Sequence, residues 1–387
     1  MKKKIGVGLI GYKFMGKAHS NAWRKAGMFF DAPADVHMQA ICGRDEDWLK
    51  QSAQKYGWNG YETSWQKLIG REDIHAIDIT APSDMHMEIA VAAAEAGKHV
   101  ICEKPMALNV ADARKMLAAA DKSGVKHQIG FNYRFAPAVL LAKELIDKGK
   151  IGKVFHFRGQ YLQDFIIDPL FPRIWRLDKS VAGSGSHGDL SAHVIDLARF
   201  LVGEFKTVTG MSKTFIKERP LVERMEGLSA TAGTDVEMAP VTVDDATLFL
   251  TEFECGALGV FEATRFAAGH KNALRFEING SLGSIIFELE RLNELQFFSR
   301  EDDANAQGFR SIMVTEATHP YISAWWPPGH IIGYEHTFVH EILSFITSIA
   351  NDSRALPDFN DGVKCSQILE AVDVSIENGG WVNVGDI

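Results

Sequence analysis

The chain has 387 residues, of which 46% are hydrophobic and 24% charged, and its formal net charge is -9. This length predicts two domains with sizeable cores. The acidic balance lacks the basic field of nucleic-acid-binding proteins and argues for a small polar metabolite as the partner. Four widely separated cysteines without a Cys-x-x-Cys pair predict reduced thiols, and no apolar run is long enough to span a bilayer. We therefore expect a cytoplasmic protein with no membrane or nucleic-acid partner.

The first third of the chain alternates apolar strands with helical patterns. Strands are predicted at Ile5–Ile10 and in VHMQAICGR, IHAIDITAP, HVICEKP and KHQIGFNY, and helices at Gly16–Ala26 and in DEDWLKQSAQKYG, HMEIAVAAAEAGK and NVADARKMLAAADKSG. Asp45 is a predicted helix N-cap, and Gly57 and Gly97 are predicted helix ends. This alternation predicts an α/β domain with a parallel, doubly wound sheet over residues 1–132.

The pattern changes over residues 133–387, where long segments are rich in β-branched and aromatic residues. Turn signals such as Glu254-Cys255-Gly256 separate these segments and predict hairpins of a large, mostly antiparallel open sheet. Helical patterns in SAHVIDLARFLVG and TFVHEILSFITSIA make this part an α+β domain. The weakly patterned segment MEGLSATAGTDVEMAP, residues 225–240, is predicted to be a surface loop.

The loop Gly11-Tyr12-Lys13-Phe14-Met15-Gly16 lies between the first strand and the first helix. The first glycine of a dinucleotide-binding loop permits a tight turn, and the last permits close helix packing. The helix N-terminus then offers backbone N–H groups to a pyrophosphate. Lys13 replaces the glycine that normally lets the backbone approach the phosphates. Its side chain either faces solvent or adds a cation near the phosphates, and in both cases the loop is predicted to bind a dinucleotide.

The end of the second strand bears on the choice between NAD and NADP. An acidic residue there binds the ribose 2′-hydroxyl, whereas an arginine accommodates a 2′-phosphate. The chain has Gly43 at the acid position and Arg44 beside it, which favours NADP. Asp45 offers an alternative, because it either reaches the ribose or caps the following helix.

Four further stretches follow in order: DITAPSDMH (78–86), GKHVICEKP (97–105), GFNYRFAPA (130–138) and GSGSHGDLSAHVIDLARFLVGE (183–204). Together with the glycine loop they resemble the Gfo/Idh/MocA family of NAD(P)-dependent oxidoreductases over nearly the whole chain. Within the family, the chain looks most like the branch of levoglucosan and inositol dehydrogenases. The levoglucosan dehydrogenases are resembled especially in FRGQYLQDFIIDP, IWRLDKSVAGSGS and EATRFAAGHKN. The resemblance implies an N-terminal Rossmann domain and a C-terminal α+β domain for substrate binding and oligomerisation. It also implies a substrate over the nicotinamide and a homodimer or homotetramer formed through the sheet face.

Oxidation of a secondary alcohol needs a base for the hydroxyl proton and a cofactor for the hydride. Asp189 and His193 are four residues apart, which on a helix places them on one face. Lys104 ends a predicted parallel strand, where ligands bind in such sheets. The resemblance implies that these three residues are catalytic. His193 is the acid/base, Asp189 orients it and binds substrate, and Lys104 is either the electrostatic partner or a proton relay. The roles of Lys104 and His193 are interchangeable on this evidence, and spacing alone also fits a structural pair.

Further contacts are expected around these residues. The resemblance implies cofactor contacts from Thr80, Pro82, His86, Glu103, Trp175 and Arg176. Tyr133, Gln163 and Arg265 are predicted to bind sugar hydroxyls. His336 and His340 have a spacing that binds zinc, but the His-Glu-x-x-His order and a third ligand are missing, so no metal is expected.

The function expected is hydride transfer between NAD(P) and a secondary alcohol of a sugar, anhydro-sugar, glycoside or cyclic polyol. Two alternatives remain at this point: a cofactor-binding regulator without turnover, and an NAD-dependent glycosidase with transient oxidation.

Overall fold

The computed structural model describes residues 2–221 and 236–387, which form two compact units. Unit 1 comprises Met1–Phe135 and Gly333–Lys364, and unit 2 comprises Ala136–Ile332 and Cys365–Ile387. The sequence-based division after residue 132 lies near the first crossing between the units. It does not include the return of Gly333–Lys364 to unit 1.

Unit 1 contains a parallel sheet flanked by helices. Its strands are β1 (Lys3–Ile10), β2 (Ala34–Cys42), β3 (Gly60–Glu62), β4 (Ala76–Ile79), β5 (His99–Glu103) and β6 (His127–Gly130). Its helices are α1 (Phe14–Phe29), α2 (Glu46–Tyr56), α3 (Trp65–Ile69), α4 (His86–Glu95), α5 (Val110–Ser123) and, later in the chain, α9 (Tyr334–Ala350). The strand order β3-β2-β1-β4-β5-β6 is that of a Rossmann sheet, which confirms the predicted fold class.

Local signals explain where these helices begin and end. Asp45 caps α2 through a hydrogen bond from the Trp48 N–H to its Oδ1 at 3.1 Å. Gly57 and Gly124 follow α2 and α5 in the left-handed conformation, with φ of 82° and 64°. The sequence does not predict β3 and α3, because segments of three and five residues are too short for a periodic pattern.

Unit 2 is built on a mixed sheet. Its strands are β7 (Val154–Leu162), β8 (Phe205–Lys213), β9 (Glu218–Pro220), β10 (Met238–Pro240), β11 (Ala246–Phe253), β12 (Leu258–Thr264), β13 (Ala273–Gly280), β14 (Gly283–Glu288), β15 (Glu294–Ser299), β16 (Arg310–Met313) and β17 (Val382–Asn383). Within the described part of unit 2, nine strands pair in the order β16-β15-β14-β13-β7-β12-β11-β8-β17, and β9 pairs with β10 alone. Only the central β7–β12 pair of this nine-strand order is parallel. The predicted mostly antiparallel sheet is confirmed.

One face of the nine-stranded sheet is buried under aromatic side chains and helices. The helices of this unit are α6 (Pro137–Asp147), α7 (Lys179–Ala182), α8 (Ala192–Leu201) and α10 (Phe359–Asn378), the last of which begins in unit 1. Phe249 and Phe261 stack with ring centroids 4.5 Å apart, and Phe157 stacks on Phe261 at 5.3 Å. Alternate residues on β11 and β12 point to the opposite face, as the period of a strand requires.

Of the predicted surface loop at 225–240, residues 225–235 lie outside the described residues, and Met238–Pro240 forms β10. Over residues 2–221 and 236–387, no helix is both long and apolar enough to cross a membrane.

Candidate active site

The two glycines of the dinucleotide loop are required by close backbone packing. Gly11 has a φ of 115°, and a Cβ there would lie 2.5 Å from Thr80 Oγ1. A Cβ on Gly16 would lie 2.2 Å from the carbonyl oxygen of Gly11. Neither position therefore tolerates a side chain. The two outer glycines of the dinucleotide-binding loop are thus retained where the backbone needs them, although Lys13 replaces the middle glycine.

The N-terminus of α1 is suited to an anionic ligand. Lys13 occupies the N-cap position, no side chain caps this end, and no acidic residue lies in the first turn. Lys13 and Phe14 are exposed, and Met15 is half-buried. The backbone N–H groups of the first turn therefore remain available for a pyrophosphate, so this end of unit 1 fits a dinucleotide.

The end of β2 carries the features that discriminate between nicotinamide cofactors. The Tyr12 ring packs against Gly43 so closely that a Cβ on Gly43 would lie 2.2 Å from a ring carbon. A carboxylate at position 43 is thus excluded by Tyr12 in this arrangement. Asp45 is engaged as the α2 cap through its Oδ1, and Arg44 is exposed.

Lys104 follows β5 directly, in a turn held by side chains. Its N–H donates to Glu103 Oε2 at 3.1 Å, and the Lys104–Pro105 peptide bond is cis. The His86 ring contacts the carbonyl oxygens of Pro105 at 3.0 Å and Ala81 at 2.9 Å. Burial lowers the pKa of His86, although both carbonyl contacts oppose this. His86 therefore ties the segment after β4 to the turn after β5, and its contact with the cofactor stays a prediction.

Thr80 and Pro82 lie in the segment between β4 and α4. Thr80 donates from its N–H and its Oγ1 to the Ile10 carbonyl at 2.8 and 3.0 Å, which joins this segment to the glycine loop. Pro82 precedes a short 3₁₀ turn, Ser83–Met85.

Sequence reasoning missed a buried ionic network beneath the Lys104 turn. His19, in α1, is fully buried, and its Nδ1 lies 2.9 Å from Asp78 Oδ2. Its Nε2 lies 2.9 Å from Glu103 Oε1, and Trp23 Nε1 donates to Asp78 Oδ2 at 2.7 Å. In the sequence, this network is indicated only by the spacing of His19 and Trp23, which lie one helical turn apart in α1. That spacing is not specific to an ionic network.

In unit 2, Asp189 lies within a π-helical turn, His187–Ser191, that continues directly into α8 with His193 in its first turn. Asp189 and His193 therefore lie on either side of a π-to-α junction. The four-residue spacing alone predicts both residues on one regular α-helix. Asp189 Oδ2 accepts a hydrogen bond from Arg265 Nη2 at 2.7 Å. Arg265 is only 1% exposed, so it is a buried partner of Asp189, and its predicted contact with sugar hydroxyls stays a prediction.

The π-helical turn is anchored at its start by Asp244. This carboxylate accepts hydrogen bonds from the N–H groups of Gly185 at 2.7 Å and His187 at 2.8 Å, and from the hydroxyl groups of Ser186 and Thr247. Burial opposes ionisation of Asp244, but nearby His187 and these donors outweigh it and lower its pKa. The sequence gives no sign of this anchor, because the residues that it joins are far apart in the chain.

A polar cluster lies beside His193. The Tyr161 ring lies 5.9 Å from the His193 ring, centroid to centroid. Asn272 Oδ1 accepts from Tyr161 Oη at 2.7 Å and from Gln163 Nε2 at 2.9 Å. The structure thus brings the predicted Gln163 into one network with Tyr161 and Asn272, which sequence reasoning did not identify.

The remaining predicted residues have local partners of their own. Trp175 and Arg176 lie in a 3₁₀ turn, and the Arg176 guanidinium stacks on the Trp175 ring at 4.5 Å from its centroid. Tyr133, in unit 1, is buried with its ring 6.3 Å from that of Tyr334.

His336 and His340 both lie near the start of α9 and make main-chain contacts. His336 Nδ1 accepts from the Gly333 N–H at 3.0 Å, and His340 Nδ1 lies 2.9 Å from the Phe135 carbonyl oxygen. Over residues 2–221 and 236–387, no group of three or more histidine, cysteine or carboxylate side chains could hold a metal ion.

The buried His340 predicts a measurable pH dependence of stability. Burial lowers its pKa to about 3, against the Phe135 carbonyl contact that raises it. An unfolded histidine binds a proton near pH 6.5, so stability is lost as the pH falls from about 6.5 toward 3, by about 5 kcal/mol in full. We expect His340→Asn, which retains a donor for Phe135, to flatten the pH dependence of the free energy of unfolding in this window. An unchanged slope in urea titrations at pH 4.5 to 7.5 would contradict this assignment.

Two family models match the chain in the order that the structure leads one to expect. The oxidoreductase family with an NAD-binding Rossmann fold matches residues 5–131, and the GFO/IDH/MocA C-terminal domain matches residues 139–286. The chain belongs to the Gfo/Idh/MocA oxidoreductase family.

Relatives within this family match the whole chain. A levoglucosan dehydrogenase from Pseudarthrobacter phenanthrenivorans is 42% identical, over 100% of this chain and 99% of the relative. The solved structure of an oxidoreductase domain protein from Kribbella flavida is 48% identical with a TM-score of 0.94, over 99% of this chain and 100% of that one. A levoglucosan dehydrogenase solved with NADH and levoglucosan is 42% identical with a TM-score of 0.93, over 99% and 100% of the two chains.

Proposed function

We propose that this Gfo/Idh/MocA oxidoreductase transfers a hydride between NAD(P) and a secondary alcohol of a sugar, with an anhydro-sugar of the levoglucosan type as the leading candidate. The observation that carries the proposal is the N-terminus of α1, which no side chain caps and which the obligatory Gly11 and Gly16 shape, in the unit where Lys104 follows β5 directly. The 42% identity to a levoglucosan dehydrogenase over the full chain supports the substrate class.

The proposed catalytic set is Lys104, Asp189 and His193. A bound nicotinamide would accept the hydride, and residues 11–16 would hold its pyrophosphate. His193 removes the hydroxyl proton, and Asp189 orients the His193 imidazole. Arg265, whose Nη2 lies 2.7 Å from Asp189 Oδ2, compensates the charge of this carboxylate. Lys104 stabilises the developing alkoxide through its ammonium group.

The test is a substrate panel followed at the nicotinamide absorbance, with NAD and NADP in parallel. Levoglucosan, related anhydro-sugars, free sugars, glycosides and inositols form the panel, and released sugar is measured alongside the absorbance. The proposal expects sugar-dependent formation of reduced cofactor. NADH binding without turnover on any member would favour a cofactor-binding regulator, and sugar release from glycosides without net reduced cofactor would favour the glycosidase chemistry.

The proposed cofactor range includes both NAD and NADP, with a lean to NADP. Neither Gly43, which Tyr12 covers, nor Asp45, which caps α2, supplies an unengaged carboxylate for the ribose 2′-hydroxyl. The exposed Arg44 guanidinium suits a 2′-phosphate. The solved levoglucosan dehydrogenase holds NADH, which supports NAD as a cofactor as well.

Substitution of Arg44 tests this range. Arg44→Ala is expected to raise KM for NADP about tenfold, since a hydrogen bond to a charged group contributes about 1.5–3 kcal/mol. KM for NAD is expected to change less than about twofold, because NAD has no 2′-phosphate. Steady-state kinetics with each cofactor at saturating sugar supply the measurement, and equal effects on both cofactors would exclude Arg44 as the discriminating residue.

We also propose self-association through the open face of the nine-stranded sheet. Leu248 pairs with Met211 and Leu250 with Val260 across neighbouring strands, and all four side chains are exposed. Leu258 extends this apolar surface at 54% exposure. Contiguous exposed apolar surface of this kind is characteristic of interfaces, and light scattering on the purified chain gives the mass that tests for a dimer or tetramer.

A further inference from the structure

The buried network around His19 connects three elements of unit 1. His19 comes from α1, Asp78 from β4 and Glu103 from the end of β5. Each ring nitrogen of His19 lies 2.9 Å from a carboxylate oxygen, Nδ1 from Asp78 and Nε2 from Glu103. Because an ionised carboxylate only accepts hydrogen bonds, this geometry requires both ring nitrogens to donate. His19 is therefore an imidazolium held between two buried carboxylates.

The energetics of the site support that charge state. Burial of His19 disfavours its cation, but charge interactions and hydrogen bonds with Asp78 and Glu103 outweigh burial and raise its pKa well above the ordinary value. Without a cation between them, the two buried carboxylates would repel each other. Nothing would then offset the free-energy cost of removing their charges from water. The His19 ring, which is 0% exposed, also packs against the Phe338 ring at 5.4 Å between centroids.

Glu103 uses its second oxygen on the turn that carries Lys104. Its Oε1 faces His19, and its Oε2 accepts the Lys104 N–H at 3.1 Å. The carboxylate therefore acts as a bracket with one arm on α1 and the other on the main chain of Lys104. A side chain whose own rotamer is fixed by such a partner holds a functional group more precisely than a free loop does.

We propose that His19 is a positioning residue for Lys104, acting through the Glu103 bracket. The inference rests on the proposed function, because Lys104 is the alkoxide-stabilising group in it. Loss of the His19–Glu103 arm lets Glu103 reorient and releases the Lys104 main chain, which displaces the ammonium from the reacting oxygen. Cofactor binding by the loop at residues 11–16 does not require this arm.

Two neutral isosteres separate the arms of His19. An asparagine amide reaches the place of Nδ1 and can donate to Asp78, whereas a glutamine amide reaches the place of Nε2 and can donate to Glu103. Both variants lose the charge, so their difference isolates the Glu103 arm. We expect kcat of His19→Asn to lie at least about tenfold below that of His19→Gln, with similar NADH dissociation constants. Equal kcat values in the two folded variants would overturn the proposal.

A second readout does not depend on turnover. Hydrogen exchange by mass spectrometry on a peptide covering residues 100–110 reports the Lys104 N–H, and exchange there is expected to be faster in His19→Asn than in His19→Gln. If His19→Asn fails to fold, Glu103→Gln probes the bracket from its centre, since one amide oxygen accepts from only one of the two donors. Unchanged exchange in Glu103→Gln would overturn the proposal.

Trp23→Phe is the matched control. It removes the indole donor to Asp78 at 2.7 Å and leaves the Glu103 arm in place. We expect a lower Tm with unchanged kcat, and a fall in kcat as large as that of His19→Asn would show general loosening and overturn the proposal. If the wild-type chain oxidises no sugar, the proposed function fails, while the exchange measurement still decides whether His19 orders the Lys104 turn.

Discussion

His193→Ala is expected to lower kcat for sugar oxidation by about a hundredfold to ten-thousandfold, the range of general acid–base catalysis. The reason is local to unit 2. His193 lies in the first turn of α8, with the Tyr161 ring at 5.9 Å and Asp189 in the preceding π-helical turn. Removal of the imidazole deletes the proposed proton acceptor and leaves Asp189 bound to Arg265 at 2.7 Å. Steady-state kinetics at saturating cofactor, with the NADH dissociation constant measured by fluorescence, separate catalysis from binding.

The control for this variant is His330→Ala, an exposed histidine of the same unit in the segment before α9. We expect wild-type kcat and an unchanged NADH dissociation constant for it. Near-normal turnover in folded His193→Ala would remove His193 from the catalytic set, and loss of NADH binding would assign it to the cofactor site instead.

The alternation of strands and helices in the first third is strong enough to predict the Rossmann sheet. Strands β1, β4 and β5 contain short, buried apolar stretches, whereas β2 and β6 mix polar and apolar residues. Asp45 and Gly57 lie at the predicted start and end of α2. The glycine loop was also predictable, because the Cβ clashes at Gly11 and Gly16 follow from the general geometry of a strand–turn–helix unit. Local rules suffice where neighbours in sequence decide the structure.

The sequence predicts which types of residue form the candidate site, but not the contacts that these residues make. No sequence pattern shows that Tyr12 covers Gly43, since this contact joins two loops in space. The π-helical turn under Asp189 depends on Asp244, which lies 58 residues from Ser186 in the chain. The pairing of Arg265 with Asp189 spans 76 residues. Partners of buried charges are set by the tertiary fold, so propensity and spacing cannot assign them.

The return of Gly333–Lys364 to unit 1 has the same origin. Helix α9 packs its apolar face against α1, and Gln128 of β6 donates to the Glu341 carbonyl at 3.1 Å. An amphipathic pattern predicts that a helix has a buried face, but it does not identify the part of the fold against which that face packs. The sequence therefore predicts this helix without predicting its unit.

Lys104→Met is expected to lower kcat by about a hundredfold to a thousandfold, as loss of one preorganised donor to an oxyanion does elsewhere. Methionine retains the length of the stem and removes only the ammonium group. The Lys104 N–H to Glu103 Oε2 bond at 3.1 Å comes from the main chain, so the turn is expected to survive the substitution. The NADH dissociation constant should change less than about threefold, and Lys122→Met, at an exposed lysine of α5, should behave as wild type.

The pH dependence of this variant decides which residue is the acid/base. If His193 removes the proton, oxidation by Lys104→Met remains slow at every pH but keeps the shape of its pH–rate profile, because the titrating base is still present. If Lys104 is the base, its substitution removes the corresponding limb of the profile, and His193→Ala retains that limb. Profiles of kcat/KM from pH 5.5 to 10 for both variants therefore separate the two assignments. Wild-type kcat in Lys104→Met would exclude the lysine from both roles.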